Sequence, residues 1–506
     1  MKKSIYAAML CTAIGFSACE DYLTVKSPDQ LTSSTFWRNE ADAEAGLAAA
    51  YSQLEYSIDT WEFAEVKWPV EAYREDVVIL GSDALNYQNW VELSTFNYTN
   101  GNSQFSAYWR CNYSGISYAN QVIEKVAQIP ESAIRAERKA QIVNEAYFLR
   151  AYYHFKLLLN WEQIVVRDAY ITSQEQLAKP LSSREEAWEM IIADLTKATS
   201  LPSTHTSENV GRATSGAAYA YLGYAYLTRA YEESAKKSEY LEKAISALKG
   251  VTGYALEEDY ISMFNGTNKN CKESVFELQF TMNSSNGANY RNALHRWIGV
   301  AELWGWDEIA PSEFLYREFM KEGATATTGR FDSRMYETMF FQCDYFNDET
   351  GRVYGYNYDE WFSNDEGAYN RPAFRKFMPA DYAGLEQSRV AINIPLMRYS
   401  NVLLMLAEAY NESGQTSLAI PLINEVRAVH GDMPPMSGSS AEAIRAQIEH
   451  ERILEFPLEN LRWYDLRRWG KLTEAMQAAG RNGFNESENS FYPIPMVELN
   501  SNNQIK

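Results

Sequence analysis

Residues Glu449 to Gly470 read EHERILEFPLENLRWYDLRRWG. Charged and large apolar side chains are interleaved throughout, a mixture that is costly unless every charge taken out of water finds a partner. At helical period Ile448, Arg452, Glu455 and Glu459 share a face, with Glu451 and Arg452 both in side-chain reach of Glu455. Pro457 and Asn460 interrupt that period. A second short helix is predicted beyond them, carrying Leu461, Tyr464, Leu466 and Trp469 beside Arg462, Asp465, Arg467 and Arg468, with Gly470 as its stop. Glu455, Glu459 and Asp465 are open to a reading as an acid cluster tuned by arginines. The plainer reading is a partly buried ion network that fixes how two helices cross.

Working outward, three stretches repeat a helix-pair pattern. Ala146–Leu159 is answered by Ala187–Ala198, Ala217–Tyr231 by Tyr240–Leu248, and Leu403–Asn411 by Ala419–Val426. The third pair fits the tetratricopeptide pattern best: Leu406, Ala407 and Tyr410 fill the apolar and small positions of its first helix, and Ala419 and Ile423 answer from the second. Small residues let paired helices approach closely. Spacing between the copies is irregular, so the chain reads as a repeat-built core with long insertions and not as a plain solenoid. The predicted fold is mainly α: one large domain over 36–506, with divergent tetratricopeptide-like helix pairs at about 140–250 and 398–427. Loop-rich insertions are expected at about 60–105 and 251–396, with a few short strands, Ser274–Phe280 among them. Further helices are expected over Glu40–Ile58 and around Trp109, Tyr113, Ile116, Ala119 and Ile123.

The whole chain has 506 residues and a net charge of −21, which argues against nucleic acid and against a polybasic membrane patch. Residues 1–18 read as a targeting segment: Lys2 and Lys3, then an apolar run over Ile5–Phe16 too short to span a bilayer. Phe16-Ser17-Ala18-Cys19 resembles a bacterial lipobox, in which the chain is cut before the cysteine and the thiol is lipidated, with Phe16 where leucine is commoner. Residues 19–35 are then a lipidated Cys19 and a polar linker. Cys111, Cys271 and Cys343 remain, without metal-ligand spacing; at most one disulfide can form among them and none is required.

Five histidines (154, 205, 295, 430 and 450) show no mutual ligand spacing, and neither a Walker loop nor a nucleophile elbow is present. The carboxylate pairs Asp359-Glu360 and Asp365-Glu366 have the residue types of a glycoside hydrolase, but 67 acidic residues make adjacent acids common by chance. Asp and Asn clusters between Asp344 and Asp365 suit calcium by composition without the EF-hand order, which leaves calcium open. Aromatic chemistry is the stronger signal, with 35 Tyr and 13 Trp. A sugar ring has an apolar C–H face that stacks on Trp or Tyr and a hydroxyl rim that Asn, Asp, Gln or Arg can take. Tyr87, Asn89, Trp90 and Asn97 lie in one loop, and Trp297, Trp304 and Trp306 in another. Asp344–Pro372 adds Tyr345, Tyr354, Tyr356, Tyr358, Trp361 and Tyr369. Against this stands the ordinary fate of large aromatics, which is core packing.

Glu451-Arg452, Glu455 and the run Arg462–Gly470 resemble the C-terminal signature of the SusD/RagB family, although Asn460-Leu461 stands where that family usually has a small residue. The resemblance extends to Ser27-Pro28 through Phe36, to Glu71–Asp76, to Trp109–Ile123, and to the closing Phe491-Tyr492-Pro493-Ile494-Pro495. It implies a nutrient-binding lipoprotein of the outer membrane, surface-exposed through an anchor on Cys19, with Glu20-Asp21 resembling an export tag. It further implies no enzymatic activity, a glycan ligand, and a SusC-like TonB-dependent transporter that the protein caps. Family members carry ligand aromatics in loops placed like 81–102 and 288–306. The implied ligand residues are therefore Tyr87, Asn89, Trp90, Trp297, Trp304 and Trp306. A peptide ligand is the alternative within the family, and a surface glycoside hydrolase the alternative outside it.

Overall fold

The computed structural model describes residues 36–55, 67–282, 291–362 and 371–505. The leader, Cys19 and its linker, Trp61, Asp365-Glu366 and Tyr369 lie outside the described residues.

Helix starts follow capping chemistry. Helix α1 (Glu40–Ser52) opens where the Asn39 side chain accepts from the Asp42 N–H. Helices α2 (Ser103–Gln128) and α3 (Ala136–Asn160) follow. A Ser183/Glu186 capping box starts α4 (Arg184–Ala198), and the Thr214 hydroxyl caps α5 (Ser215–Glu232), which leads to α6 (Lys237–Lys249). After the long insertion come α7 (Tyr399–Glu412), α8 (Thr416–Gly431) and α9 (Ala441–Glu455), then the short α10 (Arg462–Trp469). Each of α1 to α6 packs on the next, α6 packs on α7, and α7 to α9 pack among themselves, so the helix pairs read from the sequence form one stack. Small residues set the approach: a Cβ on Gly115 of α2 would come within 2.3 Å of the Tyr153 ring of α3, and one on Gly223 of α5 within 2.5 Å of Leu248 of α6.

The strands are short antiparallel pairs. β1 (Val78–Leu80) pairs with β3 (Ile309–Pro311), β2 (Ser274–Leu278) with β6 (Ile394–Arg398), and β4 (Met339–Phe340) with β5 (Ala373–Phe374). The first pair bears on function, because it lays the chain after Leu80 beside the chain before Ile309. Within the expected loop region 60–105, the described part, 67–105, holds helices at Lys67–Ala72 and Gln88–Thr95 as well as β1. Tertiary contacts decide there, since Trp68, Val70, Tyr73 and Leu93 are all buried.

The charges of the opening stretch are spent inside the molecule. Glu455 receives Arg334 at 3.0 Å, Arg398 at 2.7 Å and His430 at 2.9 Å, all three from other segments. Glu459 takes Lys376 and Arg398, each at 2.7 Å. Arg452 goes to Asp465 of α10 at 2.6 Å and to Asn401 of α7 at 2.8 Å, and not to Glu455 one turn away. Burial alone would raise the pKa of Glu455; His430, Arg398 and Arg334 outweigh it and hold the carboxyl well below the usual range. Gly470 ends α10 at φ 68°, a left-handed stop that glycine adopts without strain.

Candidate functional site

Four aromatic rings gather at the surface, carried by three short segments. Trp304 is 40 % exposed and Tyr356 50 %, in a chain whose other tryptophans are mostly buried. Trp361 and Tyr382 are half-buried beside them. Ring centroids lie 5.3 Å apart for Trp304–Tyr382, 6.0 Å for Trp304–Trp361, 5.7 Å for Tyr356–Trp361 and 6.4 Å for Tyr356–Tyr382. Edge-on and tilted contacts of this kind hold rings in place while leaving faces open.

Each ring is set by local backbone chemistry. Trp304 follows a 3₁₀ turn (Ala301–Leu303) and sits at φ 55°, in the left-handed region. The next residue must be glycine: a Cβ on Gly305 would meet the Gly299 carbonyl oxygen at 1.8 Å. That contact closes a loop in which the N–H groups of Gly305 and Asp307 donate to the carbonyls of Val300 and Gly299, both at 2.8 Å. Tyr356 ends a two-residue hairpin turn, Tyr354-Gly355, with both residues at positive φ, as a type I′ turn requires. The Trp361 indole donates to the Val353 carbonyl at 2.8 Å and so is tied to the same turn. Tyr382 starts a short helix (Tyr382–Glu386) capped by Asp381, which accepts from the Gly384 N–H at 2.7 Å. Arg296 joins the Trp304 loop to that helix, donating to the carbonyls of Trp304, Glu386 and Gln387.

The residues expected from the sequence divide between this surface and the interior. The two loops do adjoin, since the Gly81 N–H donates to the Glu308 carbonyl and the Ser82 hydroxyl to Asp307 at 2.6 Å. At their junction Trp297 is 1 % exposed and Trp90 7 %, packed edge-on against each other at 6.3 Å and against Tyr73. Tyr87 is 46 % exposed and lies over Trp90 at 4.3 Å. Asn89 donates to the Ser103 hydroxyl at 2.8 Å, and Trp306 is half-buried. Residues 288–290 of the second loop lie outside the described residues. Trp304 alone among the expected residues joins the exposed cluster. Its partners Tyr356 and Trp361 stood out in the sequence as members of a Tyr-rich loop, without a reason to select them; Tyr382 carried no signal except the Asp-Tyr start of a capped turn.

Two groups of described residues gather a histidine with two glutamates, Glu273–His430–Glu455 and Glu322–His450–Glu451. Arginine already occupies the carboxylates of both: Arg398 on the first, at 2.6 and 2.7 Å, and Arg427 on the second. In the stretch considered for calcium, Asp348 accepts from Thr350 and Gly351 within its own turn. Cys111, Cys271 and Cys343 are free thiols.

Comparison with known proteins bears on the same architecture. The family model described as "SusD family" matches residues 272–506, and one described as "Starch-binding associating with outer membrane" matches residues 21–227. The chain belongs to the SusD/RagB family. It is similar to SusD-like protein P2 of Formosa agariphila, 26 % identical over 99 % of this chain and 98 % of that one. A SusD superfamily protein from Bacteroides vulgatus superimposes with a TM-score of 0.80 at 26 % identity, over 93 % of this chain and 99 % of the other. A laminarin-binding SusD-like protein superimposes with a TM-score of 0.71 at 25 % identity, over the same shares. The helix stack and its insertions are thus the SusD architecture. No helix among the described residues is long and apolar enough to cross a membrane.

Proposed function

We propose that this SusD-family protein captures a glycan at the outer membrane on the rings of Trp304, Tyr356, Trp361 and Tyr382. The observation that carries the reading is the exposed cluster itself. Four rings from three segments converge at the surface of a fold that buries most of its described tryptophans, where exposed apolar surface marks binding. A laminarin-binding neighbour and a family model named for starch binding support a glucan as the first ligand to try. The bound glycan passes to a SusC-like TonB-dependent transporter that the protein caps, and a lipid on Cys19 keeps it at the cell surface; the protein does no chemistry on its ligand.

Calorimetry of the purified full-length chain against laminarin, starch and neutral peptide oligomers tests the ligand class. Micromolar or weaker binding of a glucan, about −8 kcal/mol or less in magnitude, is expected. Binding of the peptides alone would replace the glycan reading, and new reducing ends in the same tubes would make the protein a hydrolase. Cys19→Ala is expected to leave outer-membrane fractions; a variant still anchored at wild-type levels would refute the lipid site.

A further inference from the structure

Three of the four arginines in Arg452–Arg468 present their guanidinium edges to carboxylates. Arg462 offers Nε and Nη2 to the two oxygens of Asp76, both at 2.9 Å. Arg468 offers the same edge to Glu408 at 2.9 and 2.8 Å, and Arg452 offers Nε to Asp465 at 2.6 Å. Arg467 is the exception. Its Nη1 donates to the carbonyls of Leu159 and Ser490, at 2.7 and 3.2 Å, and its Nε–Nη2 edge has no partner among the described residues. The side chain lines a cleft of 310 Å³ with Arg184, Tyr231, Ser490 and Phe491 and with two acids, Glu162 and Glu232.

Both signs of charge stand around it: Arg184 engages Glu232, Glu162 is exposed to solvent, and neither acid takes the open edge of Arg467. Phe491 lies against two guanidinium groups, Arg467 at 4.2 Å and Arg184 at 4.9 Å. Arg184 is already satisfied, by Glu232 at 2.6 Å and by the carbonyls of Leu158, Trp161 and Glu162. No carboxylate lies within 4.0 Å of Arg467 among the described residues. Burial, and after it repulsion from Arg184, pull the Arg467 guanidinium down to about 9, with Glu232 acting in the opposite sense. Arg467 is half-buried, and an arginine edge left open on a cleft is a place where a ligand carboxylate can make the charge-assisted hydrogen bonds that the chain does not.

We propose that the cleft beside Phe491 is a second ligand site, in which the Nε–Nη2 edge of Arg467 takes the carboxylate of a small acidic ligand. The fit is the fork-to-fork geometry that Arg462 and Arg468 already show toward Asp76 and Glu408. A carboxylate can come from an acidic sugar or from the end of a short peptide, and matched probes separate the two. The site goes beyond glycan capture at Trp304 and shares no residue with it.

The test is calorimetry and saturation-transfer NMR on the purified full-length chain, with glucuronate against glucose and N-acetylglycine against its amide. Saturable millimolar binding of at least one acid is expected, with its neutral counterpart weaker by about tenfold or more. The acid that binds tighter names the source. Arg467→Met should abolish acid binding. Because Arg467 also holds two carbonyls, a second variant leaves it in place: Ser490→Glu sets a carboxylate at the half-exposed mouth of the cleft and should reduce acid affinity by about tenfold or more with an unchanged melting temperature. Equal binding of acid and neutral probes, or wild-type acid affinity in folded Ser490→Glu, would overturn the proposal.

Discussion

Single residues sort by whether their rings can reach a ligand. Trp304 and Trp297 stand seven positions apart, yet one is 40 % exposed and the other 1 %. Trp304→Ala should therefore weaken glucan binding by about 1 to 3 kcal/mol with little change in melting temperature. Trp297→Ala empties a core site against Trp68, Tyr73 and Trp90 and should cost about 3 to 5 kcal/mol of stability. Calorimetry and thermal melts on the same pair of proteins read both outcomes; loss of binding only through unfolding of Trp304→Ala would return that ring to the core. Gly305→Ala offers a sharper test of how Trp304 is aimed. The added methyl meets the Gly299 carbonyl, so glucan affinity should fall although no ring has been removed.

At the scale of elements, the crossing of α8, α9 and β6 is held by charge. His430 on α8 lies between Glu455 of α9, at 2.9 Å, and Glu273, at 3.0 Å, and all three are fully buried. Burial pushes the imidazole pKa down, but Glu455 and Glu273 outweigh it and raise it to about 9; His450, held by Glu318 and Glu322, is likewise raised to about 9. A folded pKa above the unfolded value of about 6.5 means that each histidine stabilises the fold fully below about pH 6.5 and loses its contribution as pH rises to about 9. Denaturant melts between pH 6 and pH 9.5 should show stability falling across that window, and His430→Gln should flatten part of the slope. A wild-type profile flat from pH 6.5 to 9 would mean that neither histidine is charged when folded. In the same network Arg452→Ala leaves Asp465 without one of its two arginines and should cost about 3 kcal/mol or more. Ligand affinity of the folded fraction should hold; stable protein with lost binding would make Arg452 a site residue.

Across the whole molecule the segment 70–78 and the C-terminal segment 462–493 are built into each other. Arg462 pairs with Asp76, the Trp161 indole donates to the Pro493 carbonyl at 2.9 Å, and the Tyr492 hydroxyl donates to the Val70 carbonyl at 2.6 Å. Arg74 is enclosed by the rings of Trp463, Tyr464 and Tyr492, at 4.6 to 5.2 Å, and Arg481 donates to the carbonyls of Tyr73, Glu75 and Val78. The segments matched by separate family models, 21–227 and 272–506, are therefore not separate folding units. Expressed apart, neither should show a cooperative melt. A cooperative transition in fragment 272–506 alone would show that these ties are dispensable.

Period and spacing were enough to determine the helix pairs, because an amphipathic helix with small residues at its contact positions repeats a pattern that local physics dictates. The same holds for the break at Pro457, the stop at Gly470 and the β2 strand. The opening stretch announced an ion network, since so many charges among apolar residues have to be paired. Which acid meets which arginine was not local: Arg334, Arg398 and His430 reach Glu455 from segments 121, 57 and 25 positions away, and only the fold brings them there. The aromatic site divides in the same way. Composition marked loops rich in Trp and Tyr, but exposure is a property of the packed molecule, so Trp90 and Trp297 look like Trp304 on the page. Tertiary structure separated them, burying two rings at a loop junction and turning the third outward through the contact of Gly305 with Gly299.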